Sequence, residues 1–278
     1  AGLGGDYPAG GRRGMALLPS GYPVVTGKSF GSGSGYDIMT VAYSGPAFGP
    51  TQVVTLPATN VTTTTATLNG TVNPNGVATT AEFQYGTSTS YGSTASITLS
   101  PNNGTNTQTV SANITGLTPG TLYHYRLTAQ NGETSANGAD MTFTTAMTPQ
   151  QTWRQTYFGT TANTGNAADS FDYDGDGLVN LMEWALGLNP TTASTLPATT
   201  TRNGAFFEFT YTRSIAVLNA GGTFTVEWSD TLPSTSWSSA GVTEQILTDN
   251  GTVQQVRASV PVGSQGRRFV HLRVTASP

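Results

Sequence analysis

Apolar and polar residues alternate along most of the 278-residue chain, which predicts β-strands that are buried on one face. The alternation is clearest at 81–85, 205–212 and 223–229, and turn-forming residues at 73–76 and 249–252 separate such stretches. Between residues 148 and 190 the apolar spacing becomes helical. The predicted fold class is mainly β, with two tandem β-sandwiches joined by a small helical unit and an N-terminal β segment.

Segments rich in Pro, Gly or Thr divide the chain. The predicted regions are an N-terminal β segment (1–50), a sandwich (51–147), a helix-loop-helix unit (148–192) and a second sandwich (193–278). The stretches 45–50 and 191–203 are predicted linkers. In the helical unit, Thr148 is expected to cap a helix that starts at Pro149, and Gly187 to end the second helix.

The composition narrows the class of protein. Charged residues make up 9% of the chain, against about 25% in an average soluble protein. Thr, Ser, Gly and Asn replace them, and Lys28 is the only lysine, a composition typical of secreted β-rich proteins. The net charge of −4 is local, because five acids lie within 169–183 without a Lys or Arg between them. Nothing in the sequence is basic enough to bind nucleic acid.

Further sequence features indicate the cellular compartment in which the protein is expected to work. The chain has no cysteine, which excludes disulfides, zinc-thiolate sites and cysteine nucleophiles. No apolar run approaches the roughly 20 residues that span a bilayer, and no signal peptide is recognised. Ala1 is therefore expected to be a processed end or the start of a fragment of a longer precursor. We expect a bacterial protein that is secreted or held at the cell surface.

The strongest chemical signal is the stretch 172–183, Asp-Tyr-Asp-Gly-Asp-Gly-Leu-Val-Asn-Leu-Met-Glu. Side-chain oxygens stand at positions 1, 3, 5, 9 and 12, Gly177 at position 6 permits a sharp turn, and position 7 offers its carbonyl. The predicted metal ligands are Asp172, Asp174, Asp176, Leu178, Asn180 and Glu183. The alternative is a solvated acidic turn whose Asp residues cap a helix.

This stretch resembles the EF-hand calcium loop at every ligand position. The resemblance implies a Ca²⁺ site, and in an extracellular protein it implies a structural site of weak to moderate affinity. Dockerins also carry such loops, but in pairs, and bind cohesins through them. Only one loop occurs in this sequence, so the resemblance does not imply a cohesin partner.

Residues 117–127, Leu-Thr-Pro-Gly-Thr-Leu-Tyr-His-Tyr-Arg-Leu, resemble the Leu-x-Pro-x-Thr-x-Tyr-x-Tyr-x-Val signature of fibronectin type III domains. The stretches 69–74 (Asn-Gly-Thr-Val-Asn-Pro) and 85–92 (Tyr-Gly-Thr-Ser-Thr-Ser-Tyr-Gly) add to the resemblance, which covers about 95 residues. It implies a Greek-key sandwich with a corner tyrosine whose hydroxyl bonds the backbone near the corner.

Two looser resemblances concern the ends of the chain. Residues 24–29 (Val-Val-Thr-Gly-Lys-Ser) and 40–44 (Thr-Val-Ala-Tyr-Ser) resemble one repeat of the SBBP-type β-propeller, with a plain N-terminal hairpin as the alternative. The region 193–278 looks like the small β-domain that follows a single calcium loop in large secreted proteins of verrucomicrobial and planctomycete type.

No catalytic constellation stands out in the sequence. His124 and His271, the only histidines, fall in predicted strands without an acid nearby in sequence, and are expected to be structural. Trp153, Tyr157 and Trp184 present either a sugar-binding platform or core residues, and helical spacing favours the core. We therefore expect a protein that is not an enzyme.

Two functions follow as hypotheses. The first is a calcium-stabilised extracellular structural protein, a fibre or surface-layer subunit that binds copies of itself by β-strand addition or end-to-end packing. The second is an accessory region of a larger secreted enzyme that binds glycans or a cell surface.

Overall fold

The fold is that of a computed structural model, which describes residues 51–132, 134–232, 237–263 and 267–275 in full and three backbone strands within 14–42. It confirms the predicted fold class, since two β-sandwiches follow an N-terminal β segment and a small helical unit joins them. The linker predicted at 45–50 lies outside the described residues.

The N-terminal segment forms an antiparallel three-stranded sheet with the middle strand in the centre. Its strands are β1 (Gly14–Leu17), β2 (Pro23–Phe30) and β3 (Tyr36–Ala42). A β segment was predicted for residues 1–50, and its likeness to a propeller repeat stays a prediction.

The first sandwich packs two antiparallel sheets, of order β4-β5-β8 and β10-β9-β6-β7, and β11 also pairs with β9. The strands are β4 (Gln52–Thr59), β5 (Thr65–Asn73), β6 (Thr79–Gly86), β7 (Ser93–Ile97), β8 (Gln108–Thr115), β9 (Leu122–Asn131), β10 (Ser135–Asn137) and β11 (Met141–Thr144).

Strict alternation builds the core of the first sandwich. Along β5 and β9 every second residue is buried, and Leu68, Phe83 and Leu127 are fully enclosed between the sheets. Tyr123 also points inward, and its hydroxyl accepts a hydrogen bond from the Thr118 amide at 3.0 Å. This is the arrangement expected for a corner tyrosine.

The helical unit contains α1 (Pro149–Phe158), a short 3₁₀ helix (Gly165–Ala167) and α2 (Asn180–Leu186). As predicted, Thr148 caps α1: its hydroxyl accepts from the Gln151 amide at 3.1 Å, while the Gln151 side chain accepts from the Thr148 amide at 2.9 Å. Gly187 ends α2 in the left-handed conformation (φ 74°) that favours glycine.

The second sandwich packs a four-stranded sheet, of order β12-β13-β16-β15, against the pair β14-β17. Its elements are β12 (Ala198–Asn203), β13 (Phe206–Ser214), α3 (Ile215–Asn219), β14 (Thr223–Ser229), β15 (Thr243–Asp249), β16 (Val253–Pro261) and β17 (Phe269–Thr275). The linker predicted at 191–203 is therefore wrong in its second half, which forms β12, and α3 was not predicted.

The helical unit shares a core with the second sandwich. Trp184 and Ala185 of α2 pack with Val217 of α3, and Trp153 of α1 lies against them. The contact with the first sandwich is polar, since the Gln151 side chain donates to the Pro119 carbonyl at 3.4 Å. The metal-ligand candidates on α2 thus lie on a helix that packs against the second sandwich. No described helix has the length and apolar character needed to cross a membrane.

Candidate metal centre

The acidic loop is shaped by hydrogen bonds between its own backbone and its carboxylates. The two oxygens of Asp172 accept from the amides of Gly175 (2.8 Å) and Gly177 (2.9 Å). Gly177 has φ 94°, a conformation that side chains disfavour, as predicted for the sharp turn. Asp176 accepts from the Leu178 amide at 2.8 Å. These bonds turn the loop so that its carboxylates converge.

The structure brings three predicted ligands together. Asp172, Asp174 and Asp176 each offer a carboxylate oxygen, and these oxygens lie within 4.8 Å of one another. Oδ2 of Asp174 is buried and has no hydrogen-bond partner among the described residues. Such a group of carboxylates could hold a metal ion.

Among the predicted ligands, Glu183 has the most unusual environment for a carboxylate. It lies in the first turn of α2 with 0% of its surface exposed, and neither carboxylate oxygen has a hydrogen-bond partner within the described parts of the chain. Burial, together with the charges of Asp174, Asp176 and Asp172, raises its pKa to about 7. A buried carboxylate without a partner costs several kcal/mol, roughly, unless a cation or a proton neutralises it.

Asn180, predicted at position 9, is fully buried at the start of α2. Its amide group donates to the carbonyls of Asn166 (2.9 Å) and Ala168 (2.8 Å), which fixes the 3₁₀ segment beneath the loop. Its side-chain oxygen is buried without a partner among the described residues. Leu178, whose carbonyl was predicted as a ligand, lies two residues after Asp176. Their roles as ligands stay predictions.

The donor set fits a hard divalent cation. Every candidate ligand atom is an oxygen, and three carboxylates are preorganised by backbone amides. The fourth, Glu183, is buried, and neither of its oxygens has a partner in the part of the chain that the structure describes. Ca²⁺ takes six to eight oxygens in a flexible geometry, whereas zinc prefers nitrogen and sulfur ligands. The residues present therefore fit the ion that the loop resemblance implies.

An ion pair between the buried Arg154 and the half-buried Asp169, beside the loop, was not predicted. Arg154 of α1 is 5% exposed and donates to Asp169 at 2.7 Å, while Gln150 and Asn163 donate to the same carboxylate at 2.9 and 3.0 Å. Asp169 is thus held by α1 and by the segment after it. Asp169, the acid closest to the loop in sequence, therefore ties the chain just before the loop to α1.

A second unforeseen contact joins the loop to the chain that follows α2. The backbone amide and the hydroxyl of Ser194 both donate to Oδ2 of Asp176, at 2.8 and 2.9 Å. The pKa of Asp176 is lowered because its carboxylate accepts from the Ser194 amide, the Leu178 amide and the Ser194 hydroxyl. Asp176 therefore remains charged and ties residue 194 to the metal loop.

Both histidines pair with acids that are distant in sequence. His124 lies 2.9 Å from Asp140, and His271 lies 2.9 Å from Glu227 on the neighbouring strand. Of the three aromatics considered as a sugar platform, Trp184 is 3% exposed and Trp153 packs on the same core. Trp153 is half-buried and Tyr157 is 36% exposed, so the core interpretation is favoured for Trp184 and for the packed face of Trp153.

Comparisons with known proteins give similarity at low scores. No protein-family model and no curated protein matches the chain. The sensor domain of the anti-sigma factor RsgI4 from Pseudobacteroides cellulosolvens, in its short form, has a TM-score of 0.29 and 23% identity, covering 36% of this chain and 99% of that one. Its long form gives 0.27 and 23%, covering 35% and 90%. A computationally redesigned β-sandwich protein gives 0.24 and 29%, covering 33% and 89%. Scores at this level establish no function for the chain.

Proposed function

We propose that the loop 172–183 binds Ca²⁺ and that the ion stabilises the helical unit between the two sandwiches. The observation that carries this proposal is Glu183, buried beside three aspartates with neither oxygen hydrogen-bonded within the described chain. Both oxygens of Glu183 would coordinate a Ca²⁺ ion, and the charge of the ion would offset the repulsion among the four carboxylates. Asp172, Asp174 and Asp176 would hold it from the other side, with the Leu178 carbonyl and Asn180 completing the set.

Calorimetric titration of calcium chloride into the chelator-treated chain tests this role. We expect one saturable site per chain, with a dissociation constant between about 10⁻⁵ and 10⁻³ M. Glu183→Gln should weaken binding by at least tenfold, whereas Glu82→Gln, on the first sandwich, should bind as the wild type does. Absence of saturable heat in the wild type would refute the calcium site.

We propose further that the chain is a non-catalytic, secreted or surface-held structural protein. The corner tyrosine Tyr123 supports the likeness of the first sandwich to fibronectin type III domains, which serve mainly as spacers and binding modules. Both histidines are bonded to an acid on the protein itself, which supports structural roles for them. Calcium bracing suits the extracellular space, where this ion is plentiful.

Self-association by strand addition is the finer form of this proposal. All seven residues of the edge strand β15 are exposed, including Ile246 (49%) and Leu247 (39%), and β15 pairs within the described residues only with β16. An exposed apolar edge is where another strand adds. Negative-stain microscopy with light scattering, in calcium and in chelator, tests it: calcium-dependent filaments or large particles are expected, and monomers in both solutions would contradict it.

A further inference from the structure

A cavity of about 250 Å³ opens on the second sandwich, close to the metal centre. One wall is Met182 and Leu186 of α2, and another is the segment of residues 196–198. Phe209 of β13 and Leu272 of β17 complete its apolar lining. The cavity is thus enclosed by α2, by the segment 196–198 and by residues of β13 and β17.

The polar side chains in the wall already have partners. The Tyr211 hydroxyl donates to Glu244 at 3.0 Å, and Nε2 of His271 lies 2.9 Å from Glu227. The lining therefore offers apolar contact without a free charge. Leu196, 51% exposed, lies at the rim of the cavity.

Two walls of the cavity are attached to the metal centre. Met182 is next to Glu183 in sequence, and Leu186 lies on the same short helix. The other wall begins two residues after Ser194, whose amide and hydroxyl both bind Asp176. An ion that fixes Glu183 and Asp176 thereby fixes both walls, whereas repulsion among the carboxylates would loosen both.

We propose that this cavity is a binding site for a small, neutral, apolar molecule, and that its occupation is thermodynamically coupled to calcium binding at the loop 172–183. The coupling rests on the calcium role proposed above. The apolar lining indicates an apolar ligand. The volume of the cavity limits the size of this ligand, since a cavity of about 150 Å³ accommodates benzene. About 250 Å³ accommodates a fused bicyclic ring, and is too small for a polypeptide strand or helix.

The test uses 1-naphthylamine, a neutral fused bicyclic dye whose emission shifts to the blue in apolar surroundings, titrated into the chain in calcium and in chelator. We expect one dye per chain and an affinity at least about fivefold higher with calcium, the lower end of usual coupling between sites. By reciprocity, saturating dye should raise the calcium affinity by the same factor.

Three substitutions locate the dye. Ala198→Leu fills the cavity, and Leu196→Asp places a charge at its exposed rim, where folding is not at risk. Both should abolish dye binding and leave the calcium affinity measured without dye unchanged. Thr199→Leu is the matched control, because it adds the same side chain to an exposed position on the opposite face of β12. It should bind dye as the wild type does.

The calorimetric calcium titration separates the two proposals. If calcium binds but the dye affinity is equal with and without calcium, the coupling is refuted and the calcium site stands. If Leu196→Asp binds dye like the wild type, the dye is elsewhere and the cavity proposal is refuted. If calcium does not bind, the calcium site and the coupling are both refuted, and the dye titrations of the wild type, Ala198→Leu and Leu196→Asp alone decide whether the cavity binds.

Discussion

Glu183 makes a sharp prediction about stability in the absence of calcium. Its carboxyl is fully buried beside three aspartates, and its pKa is raised from 4.5 to about 7. A group with a raised pKa in the folded state stabilises the fold below its unfolded pKa, and this contribution is lost as the pH rises through the folded value. In chelator, the wild type should therefore lose stability between about pH 4.5 and pH 7 through this residue.

The expected loss of unfolding free energy follows from the size of the pKa change of Glu183. Each pH unit by which a pKa moves corresponds to about 1.4 kcal/mol, so Glu183 should cost about 3 kcal/mol of unfolding free energy at pH 8 relative to pH 4. Glu183→Gln cannot ionise, and its stability in chelator should lack this fall. In calcium the order reverses, because the wild type gains the energy of ion binding and the variant has lost a ligand.

Tryptophan fluorescence during urea unfolding isolates the relevant part of the chain. All four tryptophans (Trp153, Trp184, Trp228 and Trp237) lie after the first sandwich, so the signal reports on the helical unit and the second sandwich. Trp184 is adjacent to Glu183 and 3% exposed. The quantity to compare is the difference in unfolding free energy between wild type and Glu183→Gln across pH 4–8 in chelator.

Parallel pH profiles for the wild type and Glu183→Gln would refute this reasoning, because they would show that Glu183 ionises as easily in the folded as in the unfolded chain. Glu82→Gln is the control for loss of a carboxylate as such. Its profile should follow the wild type.

Three further predictions test other parts of the structure. Replacing both Asp174 and Asp176 by Ala should remove the calcium-dependent protection of the helical unit against proteolysis while both sandwiches keep their circular dichroism; full protection in the double variant would contradict the bracing role. Arg154→Ala removes a charge-assisted hydrogen bond to the half-buried Asp169, which keeps its bonds from Gln150 and Asn163, and should lower the unfolding free energy reported by tryptophan by about 1.5 kcal/mol; a change below about 0.5 kcal/mol, typical of surface sites, would contradict it. Tyr123→Phe deprives the Thr118 amide of its acceptor and should destabilise the first sandwich by about 1 kcal/mol, measured by circular dichroism, and unchanged stability would contradict that role.

Local patterns in the sequence predicted most of the regular structure. The alternation at 223–229 matches β14, and the turn at 249–252 joins β15 to β16. The capping of α1 by Thr148 was also predictable, because all its partners lie within three residues.

The errors have a physical cause in each case. β12 is Thr-rich and almost entirely exposed, so burial left no periodic signal, and it is held by pairing with β13. α3 has only five residues, fewer than a helical period can reveal. Both elements depend on neighbours that are distant in the chain or on packing.

In the candidate metal site, too, only the features formed by residues close in sequence were predicted. Its ligand spacing lies within twelve residues and could be read directly, including the glycine at position 6. The ion pair between Arg154 and Asp169 and the bond from Ser194 to Asp176 span 15 and 18 residues. No local pattern relates these residues, so only the folded arrangement shows that they brace the loop.

Diffraction from crystals grown in calcium chloride measures the central claim most directly. The account predicts an ion with anomalous signal at the loop, at about 2.3–2.6 Å from oxygens of Asp172, Asp174 and Asp176 and from both oxygens of Glu183. A water molecule at that place, with Glu183 protonated and hydrogen-bonded to a neighbour at a calcium concentration of several millimolar, would contradict it.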